Sequence, residues 1–162
     1  MNKSHLTAVV RKEHPVPVRW LLNAGMVHGR VLDFGCGKCK QINDWLPAHY
    51  PKISSVTSYD PHYYPDTLVQ PSLVTSFDVV LCTYVLCVVK PEEQLDILRS
   101  VRNLLNDNGV AYITVRNDKP KWGYGTSTRG TFQRYVELPF LYELRKTRTY
   151  RIYLLTADTK LV

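Results

Sequence analysis

The fold is decided by residues 31–37, which have the sequence Val-Leu-Asp-Phe-Gly-Cys-Gly. A short apolar run that ends in glycines is typical of a buried parallel strand followed by a tight turn. Gly35 and Gly37 allow the backbone to turn sharply and to approach a ligand, because neither has a Cβ atom. Asp33, near the strand end, is able to accept hydrogen bonds from an amine or from loop amides. The stretch therefore predicts a strand, a turn and a ligand site together.

A second acid closes the next predicted strand, which spans residues 53–59 and stops at Asp60 and Pro61. In open parallel sheets, ligands bind outside the carboxyl ends of the strands. A carboxylate at that edge is able to accept a hydrogen bond from each hydroxyl of a ribose. Two acids that end successive strands, with glycines after the first, predict a nucleoside site.

Strands and helices alternate along the chain, and the tail is rich in strands. Residues 77–82 are the clearest buried strand, and residues 91–105 carry apolar residues at helical spacing, with Asn108 and Gly109 expected to end that helix. This order predicts an α/β fold with a mainly parallel sheet and an antiparallel edge from the C-terminal strands. The other predicted elements are helices at 18–22 and 41–46, the latter stopped near Pro47; strands at 30–34 and 110–115; a loop at 61–76, with one helical turn in it as the alternative, and a loop at 118–130; tail strands at 131–138, 141–144 and 150–155; and a turn at 147–149.

These motifs resemble those of the class I S-adenosylmethionine-dependent methyltransferases. Residues 33–39 are similar to the first motif of that family, an acid, any residue and then Gly-x-Gly-x-Gly, and Asp60 is similar to the acid of the second motif. Residues 77–82 and 98–113 are similar to the later motifs, in the right order. The segments 59–63, 84–89 and 128–133 further resemble a group of small methyltransferases of bacteria and phages, some of them described as associated with DNA phosphorothioation.

The resemblance implies a Rossmann-like sheet with helices on both faces, an enzyme that transfers a methyl group, and S-adenosylmethionine as its cofactor. A catalytic base is optional for this chemistry, because the cofactor carries the reactive group and the protein mainly aligns the nucleophile, so none is assigned and the catalytic residues stay open. Tyr84 is assigned to the cofactor site, with a place in the core as the alternative. The cofactor-binding residues expected from the resemblance are Asp33, Phe34, Gly35, Cys36, Gly37, Asp60, Pro61 and Tyr84.

The sequence departs from the family pattern at two places. Cys39 replaces the third glycine and is expected to narrow the space beside the methionine part of the cofactor, and no third strand is evident between Asp60 and Phe77. Cys36 and Cys39 form a C-x-x-C pair, but no second ligand pair accompanies them, so we expect no metal. A nicotinamide-dependent oxidoreductase is disfavoured because Lys40 stands where its third glycine is required. A non-catalytic binding module with this fold remains the alternative function.

Size and composition favour one globular domain over residues 1–162, with residues 1–14 as a loose arm. No apolar run approaches the roughly 20 residues of a membrane span, and the N-terminus has no secretory pattern. We therefore expect a cytoplasmic protein without a membrane partner. The sequence leaves the oligomeric state open.

The formal charge of +7 is concentrated after Val115. Residues 116–162 hold 10 Lys and Arg against 4 Asp and Glu. Cations interleaved with aromatic residues are able to contact phosphates and stack on bases, although a solvated surface is an alternative explanation of the charge. Nucleic acid is the favoured methyl acceptor, and a small molecule or a protein stays open. The residues behind this expectation are Lys119, Lys121, Trp122, Tyr124, Arg129, Arg134, Arg145, Lys146, Arg148 and Arg151.

Overall fold

The computed structural model describes residue 8 and residues 11–68, 76–118, 124–126 and 132–161, with only the backbone described at 124–126 and 132. Its helices are α1 (Val16–Asn23), α2 (Lys40–Asp44), α3 (Leu46–His49) and α4 (Pro91–Leu104), with a 3-10 turn at Pro65–Leu68. Its strands are β1 (Gly29–Phe34), β2 (Ile53–Tyr59), β3 (Phe77–Thr83), β4 (Leu105–Arg116), β5 (Tyr124–Thr126), β6 (Phe132–Arg134), β7 (Tyr142–Lys146) and β8 (Tyr150–Thr156).

Six strands form the main sheet in the order β2-β1-β3-β4-β8-β7. The first four are parallel to one another, and β8 and β7 run antiparallel beside β4. The expected α/β fold with an antiparallel C-terminal edge is therefore confirmed. Strands β5 and β6 form a separate two-stranded ribbon.

Helices cover both faces of the main sheet. Successive strand residues point to opposite faces, and Val80 packs in the core that contains Leu98 of α4. Its neighbour Val79 packs in the core that contains Leu21 of α1. Strand β3 is thus apolar on both faces, as expected of a strand that is covered by a helical layer on each side.

Helix α4 begins and ends for identifiable reasons. Pro91 occupies its first turn, and the Glu93 side chain accepts a hydrogen bond from the Lys90 backbone N–H at 2.8 Å. The helix ends at Leu104, so the prediction that it continues to Asn108 and Gly109 is wrong. Leu105 is already extended because it pairs with Phe77 of β3.

Gly109 lies inside β4 rather than at a helix end. A Cβ atom at this position would lie 2.7 Å from the carbonyl oxygen of Phe77 in the neighbouring strand. The glycine is therefore required by the close approach of two strands, which the local sequence does not reveal.

Several other boundaries differ from expectation. Helix α2 ends at Asp44, near Pro47 as expected, but Pro47 itself lies in the first turn of a further short helix, α3, where its missing N–H costs no hydrogen bond. The loop expected at 118–130 contains β5, which pairs with β6. In the tail only Phe132–Arg134 of the expected 131–138 strand is extended, within the described residues. No strand was expected between Asp60 and Phe77, and none is present in the described part of that stretch, residues 61–68 and 76. Residues 69–75 lie outside the described part.

Within the described residues, none of the helices is both long enough and apolar enough to cross a membrane.

Candidate active site

The glycine turn after β1 is tied to the end of β2. The N–H groups of Gly35 and Cys36 both donate to the carbonyl oxygen of Tyr59, at 2.8 and 2.9 Å. The N–H of Gly37 donates to Oδ2 of Asp60 at 2.9 Å. Gly35 and Gly37 have φ of 81° and 59°, in the left-handed region where a side chain is strained. The turn is therefore held against the second strand-end acid.

The Asp60 carboxylate is oriented by the backbone on both sides. Its Oδ1 accepts hydrogen bonds from the N–H groups of His62 and Tyr63, at 2.9 and 3.1 Å, while Oδ2 accepts that of Gly37. Carboxylate oxygens have further lone pairs that are able to accept from a ligand. Asp60 therefore both shapes the turn and presents acceptors at the sheet edge.

Asp33 is connected to the interior by buried polar side chains. Nδ2 of Asn43 donates to Oδ2 of Asp33 at 2.8 Å and lies 3.0 Å from Oγ of Ser58. Nε2 of His14 is 2.7 Å from Oδ1 of Asn43. His14, Asn43 and Ser58 are all buried. The segment before α1, part of the expected loose arm, is thus anchored to the first strand-end acid.

Burial changes the protonation of this cluster. It raises the pKa of Asp33 to about 6; the hydrogen bond from Asn43 opposes this effect, and the nearby charge of Asp60 adds to it. Burial also lowers the pKa of His14, against the hydrogen bond to Asn43. At neutral pH, therefore, Asp33 is mostly ionised and His14 neutral.

A cleft of about 570 Å³ opens at the carboxyl ends of β1, β2 and β3, and all the residues expected to bind the cofactor line it. These residues are Asp33, Phe34, Gly35, Cys36, Gly37, Asp60, Pro61 and Tyr84. Cys39 also lines the cleft, at the place of the third glycine. The structure thus brings the whole expected set to one concave surface.

A sharp turn after β3 forms the opposite wall of the cleft. Tyr84 has a φ of 59°, and its N–H donates to the carbonyl oxygen of Thr114 at 2.9 Å. Val85 lies directly against Gly35, where an added Cβ atom would collide with the Val85 side chain. A non-glycine residue in the left-handed region is uncommon and is often found at functional sites.

The ionisable residues of the cleft are mostly acidic. Of the residues that the structure describes, Asp33, Asp60, Glu93 and Asp96 line it together with one guanidinium, that of Arg11. The cleft therefore favours a ligand that carries positive charge.

Sequence reasoning missed His14, Asn43, Arg11 and Val85. Each acts through residues far away in the chain: Asn43 is 10 residues from Asp33 and 29 from His14. No local pattern distinguishes a helical asparagine that will be buried from one that will be exposed.

A second cavity, of about 430 Å³, adjoins the cleft. It shares Arg11, Pro15, Tyr84 and Val88 with the cleft. Its other walls come from Val16, Cys87, Arg116, Asp118, Gln133, Thr149 and Tyr150.

The four cysteines are free thiols. Cys36 is buried beside the turn, and burial raises the pKa of the Cys36 and Cys39 thiols. Within the described residues there is no group of three or more side chains able to hold a metal ion. The expectation that Cys36 and Cys39 hold no zinc remains a prediction that metal analysis would test.

Three of the five tail cations named above and described here pack internally. Arg151 is buried, donates to the carbonyl oxygen of Val136 at 2.9 Å, and stacks 4.9 Å from the ring centre of Tyr135. Arg134 donates to the carbonyl oxygen of Val89.

Arg145 stacks 4.4 Å from the ring centre of Trp20, and its Nε donates to the Tyr150 hydroxyl at 3.0 Å. Lys146 and Arg148 are exposed. Lys119, Lys121, Trp122 and Arg129 lie outside the described residues, as does the side chain of Tyr124.

Comparison with known proteins agrees with this geometry. Residues 15–147 match the model of a methyltransferase domain family. The chain belongs to this family. None of the curated protein sequences compared with the chain matches it.

Solved structures with the same fold are distant in sequence. The 1,6-didemethyltoxoflavin-N1-methyltransferase of Burkholderia thailandensis, with bound 1,6-didemethyltoxoflavin and S-adenosylhomocysteine, has a TM-score of 0.61 at 15% identity over 94% of this chain and 77% of its own. A DhpI–S-adenosylhomocysteine complex has a TM-score of 0.55 at 15% identity over 84% and 80%. A type 11 methyltransferase from Sulfolobus solfataricus has a TM-score of 0.54 at 16% identity over 89% and 93%. These likenesses establish the fold.

Proposed function

We propose that the protein is an S-adenosylmethionine-dependent methyltransferase that holds its cofactor in the acidic cleft. The observation that carries the proposal is the glycine turn whose Gly37 N–H donates to Asp60 at 2.9 Å. This contact joins a tight turn to a carboxylate suited to a ribose. The two neighbours described above, with S-adenosylhomocysteine in their structures, support the choice of ligand.

The cleft suits this cofactor in size and charge. Its volume of about 570 Å³ is within the usual range of ligand pockets. The lining acids complement a sulfonium and an ammonium group. In this proposal Asp60 accepts hydrogen bonds from the ribose hydroxyls of the cofactor, and Asp33 accepts one from its ammonium group. Phe34 and Val85 contact the apolar parts of the cofactor.

When bound, S-adenosylmethionine supplies a methyl group on a positively charged sulfur. The protein needs to align an acceptor with that group and to exclude water, and a base is optional. Tyr84 lies in both the cleft and the adjoining cavity, so it is placed to separate the cofactor from the acceptor.

The proposal is tested with Asp60→Ala, with Asp66→Ala as a matched control. Asp66 is an exposed acid of the 3-10 turn that lines neither cavity. Calorimetry should show S-adenosylhomocysteine binding to the wild-type chain. Asp60→Ala should weaken it by about 1–3 kcal/mol, since paired hydroxyls lose their acceptors.

Asp66→Ala should leave the affinity unchanged. No binding to the wild-type chain, or equal affinities of wild type and Asp60→Ala, would contradict the site.

A non-catalytic module with this fold is the second candidate, favoured by Cys39 at the cleft wall in place of glycine. Transfer of tritium from labelled S-adenosylmethionine to any fraction of a cell extract separates the two. Binding without transfer would favour the module. The nucleic-acid acceptor expected from the basic tail, and the resemblance to phosphorothioation-associated proteins, remain predictions.

A further inference from the structure

The second cavity is enclosed by segments distant in the chain. Pro15 and Val16 come from the start of α1, and Tyr84 follows β3. Arg116 ends β4, and Asp118 follows it two residues later. Gln133 lies in β6, Thr149 in the β7–β8 turn, and Tyr150 at the start of β8. The N–H of Asn117 donates to the carbonyl oxygen of Thr149 at 2.9 Å, which closes the wall between β4 and that turn. The cavity is thus a product of the tertiary fold at the edge that also carries the acidic cleft.

The polar groups of the second cavity differ from those of the cleft. The Arg116 guanidinium donates two hydrogen bonds to the Asp118 carboxylate, from Nε at 2.9 Å and from Nη2 at 2.8 Å. The same guanidinium lies 5.9 Å from the ring centre of Tyr84. Arg11 forms no ion pair within the described residues. Among the described residues, the ionised groups that line the cavity are Arg11, Arg116 and Asp118, whose charges sum to +1.

Gln133 supplies a further recognition element. Its Oε1 is buried and has no hydrogen-bond partner among the described residues. An unsatisfied buried carbonyl oxygen is unfavourable, and a ligand N–H or O–H in the cavity would satisfy it after a small side-chain adjustment.

We propose that the second cavity binds the methyl acceptor, and that this acceptor is a small polar molecule with an acidic group and an N–H or O–H nucleophile. The inference rests on the proposed function, because the shared wall at Tyr84 is meaningful only if the methyl donor lies in the acidic cleft. Arg11 and Arg116 attract the acidic group, and Gln133 accepts a hydrogen bond from the acceptor.

A small acceptor fits better than a polymer. The volume of about 430 Å³ corresponds to a small-molecule pocket. Arg134, Arg145 and Arg151 are engaged in internal contacts, so these three tail cations are not free to form a phosphate-binding surface.

The chemistry balances without another reactant. The acceptor lone pair forms the new bond to the methyl carbon, the carbon–sulfur bond breaks with its electron pair left on sulfur, and the proton lost by the acceptor passes to water. The acceptor then leaves with one more methyl group.

The test uses the full chain, tritiated S-adenosylmethionine and three fractions of source-cell extract: nucleic acid, protein and an ultrafiltrate of small molecules. Label is expected in the small-molecule fraction that an anion exchanger retains. Two pairs of variants are compared. Gln133→Met removes the unpartnered oxygen at nearly constant volume, with exposed Gln41→Met as its control; Arg116→Gln is paired with exposed Arg148→Gln.

Gln133→Met and Arg116→Gln should each lower transfer by about tenfold or more, since each removes a polar partner of the acceptor. S-adenosylhomocysteine affinity should stay within about twofold, because neither residue lines the cleft. Gln133→Met should also melt no earlier than wild type, since the oxygen it removes has no partner in the described part of the chain. Both controls should match wild type.

The outcomes separate the two proposals. Absence of S-adenosylhomocysteine binding contradicts the proposed function itself. Binding with label only in nucleic acid or protein, or in no fraction, overturns the acceptor inference. Normal transfer by Gln133→Met and Arg116→Gln also overturns it.

Discussion

The acidic cleft and the second cavity share a wall but have opposite electrostatic character. Among the described residues, four acids and one arginine line the cleft, whereas two arginines and one acid line the second cavity. Arg11, Pro15, Tyr84 and Val88 belong to both. Two neighbouring sites of opposite charge suit two different ligands, because each repels the ligand that the other attracts.

The two regions also differ in how they are built. The cleft is organised by the glycine turn, Asp60 and Asp33, which come from two neighbouring strands, and its contacts are mostly backbone to carboxylate. The second cavity depends on side chains from six places in the chain. Changes in the turn should therefore affect the cleft first, and changes in the tail should affect the second cavity.

The largest expected effect is that of Gly35→Ala. The new Cβ atom would collide with Val85, and a φ of 81° strains any side chain. The left-handed backbone alone should lower the free energy of unfolding by about 1–2 kcal/mol. Because the collision also displaces the turn, S-adenosylhomocysteine binding should weaken by about 100-fold. Calorimetry and thermal melting provide the measurements.

Gly25→Ala is the matched control for this prediction. Gly25 has a φ of 71°, but no atom lies within 4 Å of the added Cβ. It should therefore lower the melting temperature without changing S-adenosylhomocysteine affinity. Equal losses of affinity in the two variants would show that backbone strain alone, and not contact at the cleft, determines binding.

Asp33→Asn should have opposite effects on stability and binding. Burial raises the pKa of Asp33 from 3.8 to about 6, so the folded state resists ionisation of this carboxyl. The resulting destabilisation, up to about 3 kcal/mol, is fully present above pH 6 and disappears as the pH falls towards 4. Asp33→Asn should therefore be more stable than wild type at pH 7 and equally stable near pH 4.

The same substitution should weaken S-adenosylhomocysteine binding at pH 7 by about tenfold, since the ammonium group loses its ionised partner. Wild-type affinity should fall as the pH drops below 6, whereas that of Asp33→Asn should not. Urea unfolding and calorimetry across pH measure both effects, with exposed Asp44→Asn as the control. A loss of stability at pH 7 would contradict the role of burial.

The smallest effect is expected when Lys146 and Arg148 are replaced together by glutamine. Both are exposed and line neither cavity. Because exposed charges are screened within roughly 8 Å at physiological salt, methyl transfer should change by less than twofold. If nucleic acid is the acceptor, the double variant should instead change how nucleic-acid binding depends on salt. The slope of the logarithm of the binding constant against the logarithm of the salt concentration should then become shallower by about two.

Much of the cleft was predictable because its chemistry is encoded locally. The run before Gly35 predicts β1, the turn follows from its glycines, and Asp60 follows from the end of β2. The eight expected cofactor residues lie around one cleft because the carboxyl ends of parallel strands meet at one edge; their contacts with a cofactor remain a prediction.

The errors arose where a partner strand overrides local preference. The 91–105 pattern predicts α4 correctly, but pairing of Leu105 with Phe77 ends the helix before the expected glycine. Strand β8 lies between β4 and β7, and this insertion turns Arg151 inward against Tyr135 and Tyr153. A charge count alone assigns that arginine to the surface.

The sequence by itself determined the α/β class, the alternation of strands and helices along the chain, and the acids at the strand ends. Each of these depends on hydrophobic periodicity or turn residues, which act over a few neighbouring residues. Only the tertiary structure decided that His14 and Asn43 support Asp33 and that Gln133 is left without a described partner. It also decided that Arg134, Arg145 and Arg151 of the tail make internal contacts. These features depend on contacts between distant residues, such as Asn43 with His14, 29 positions apart, and Arg134 with Val89, 45 positions apart. Such contacts exist only once the sheet has brought distant segments together.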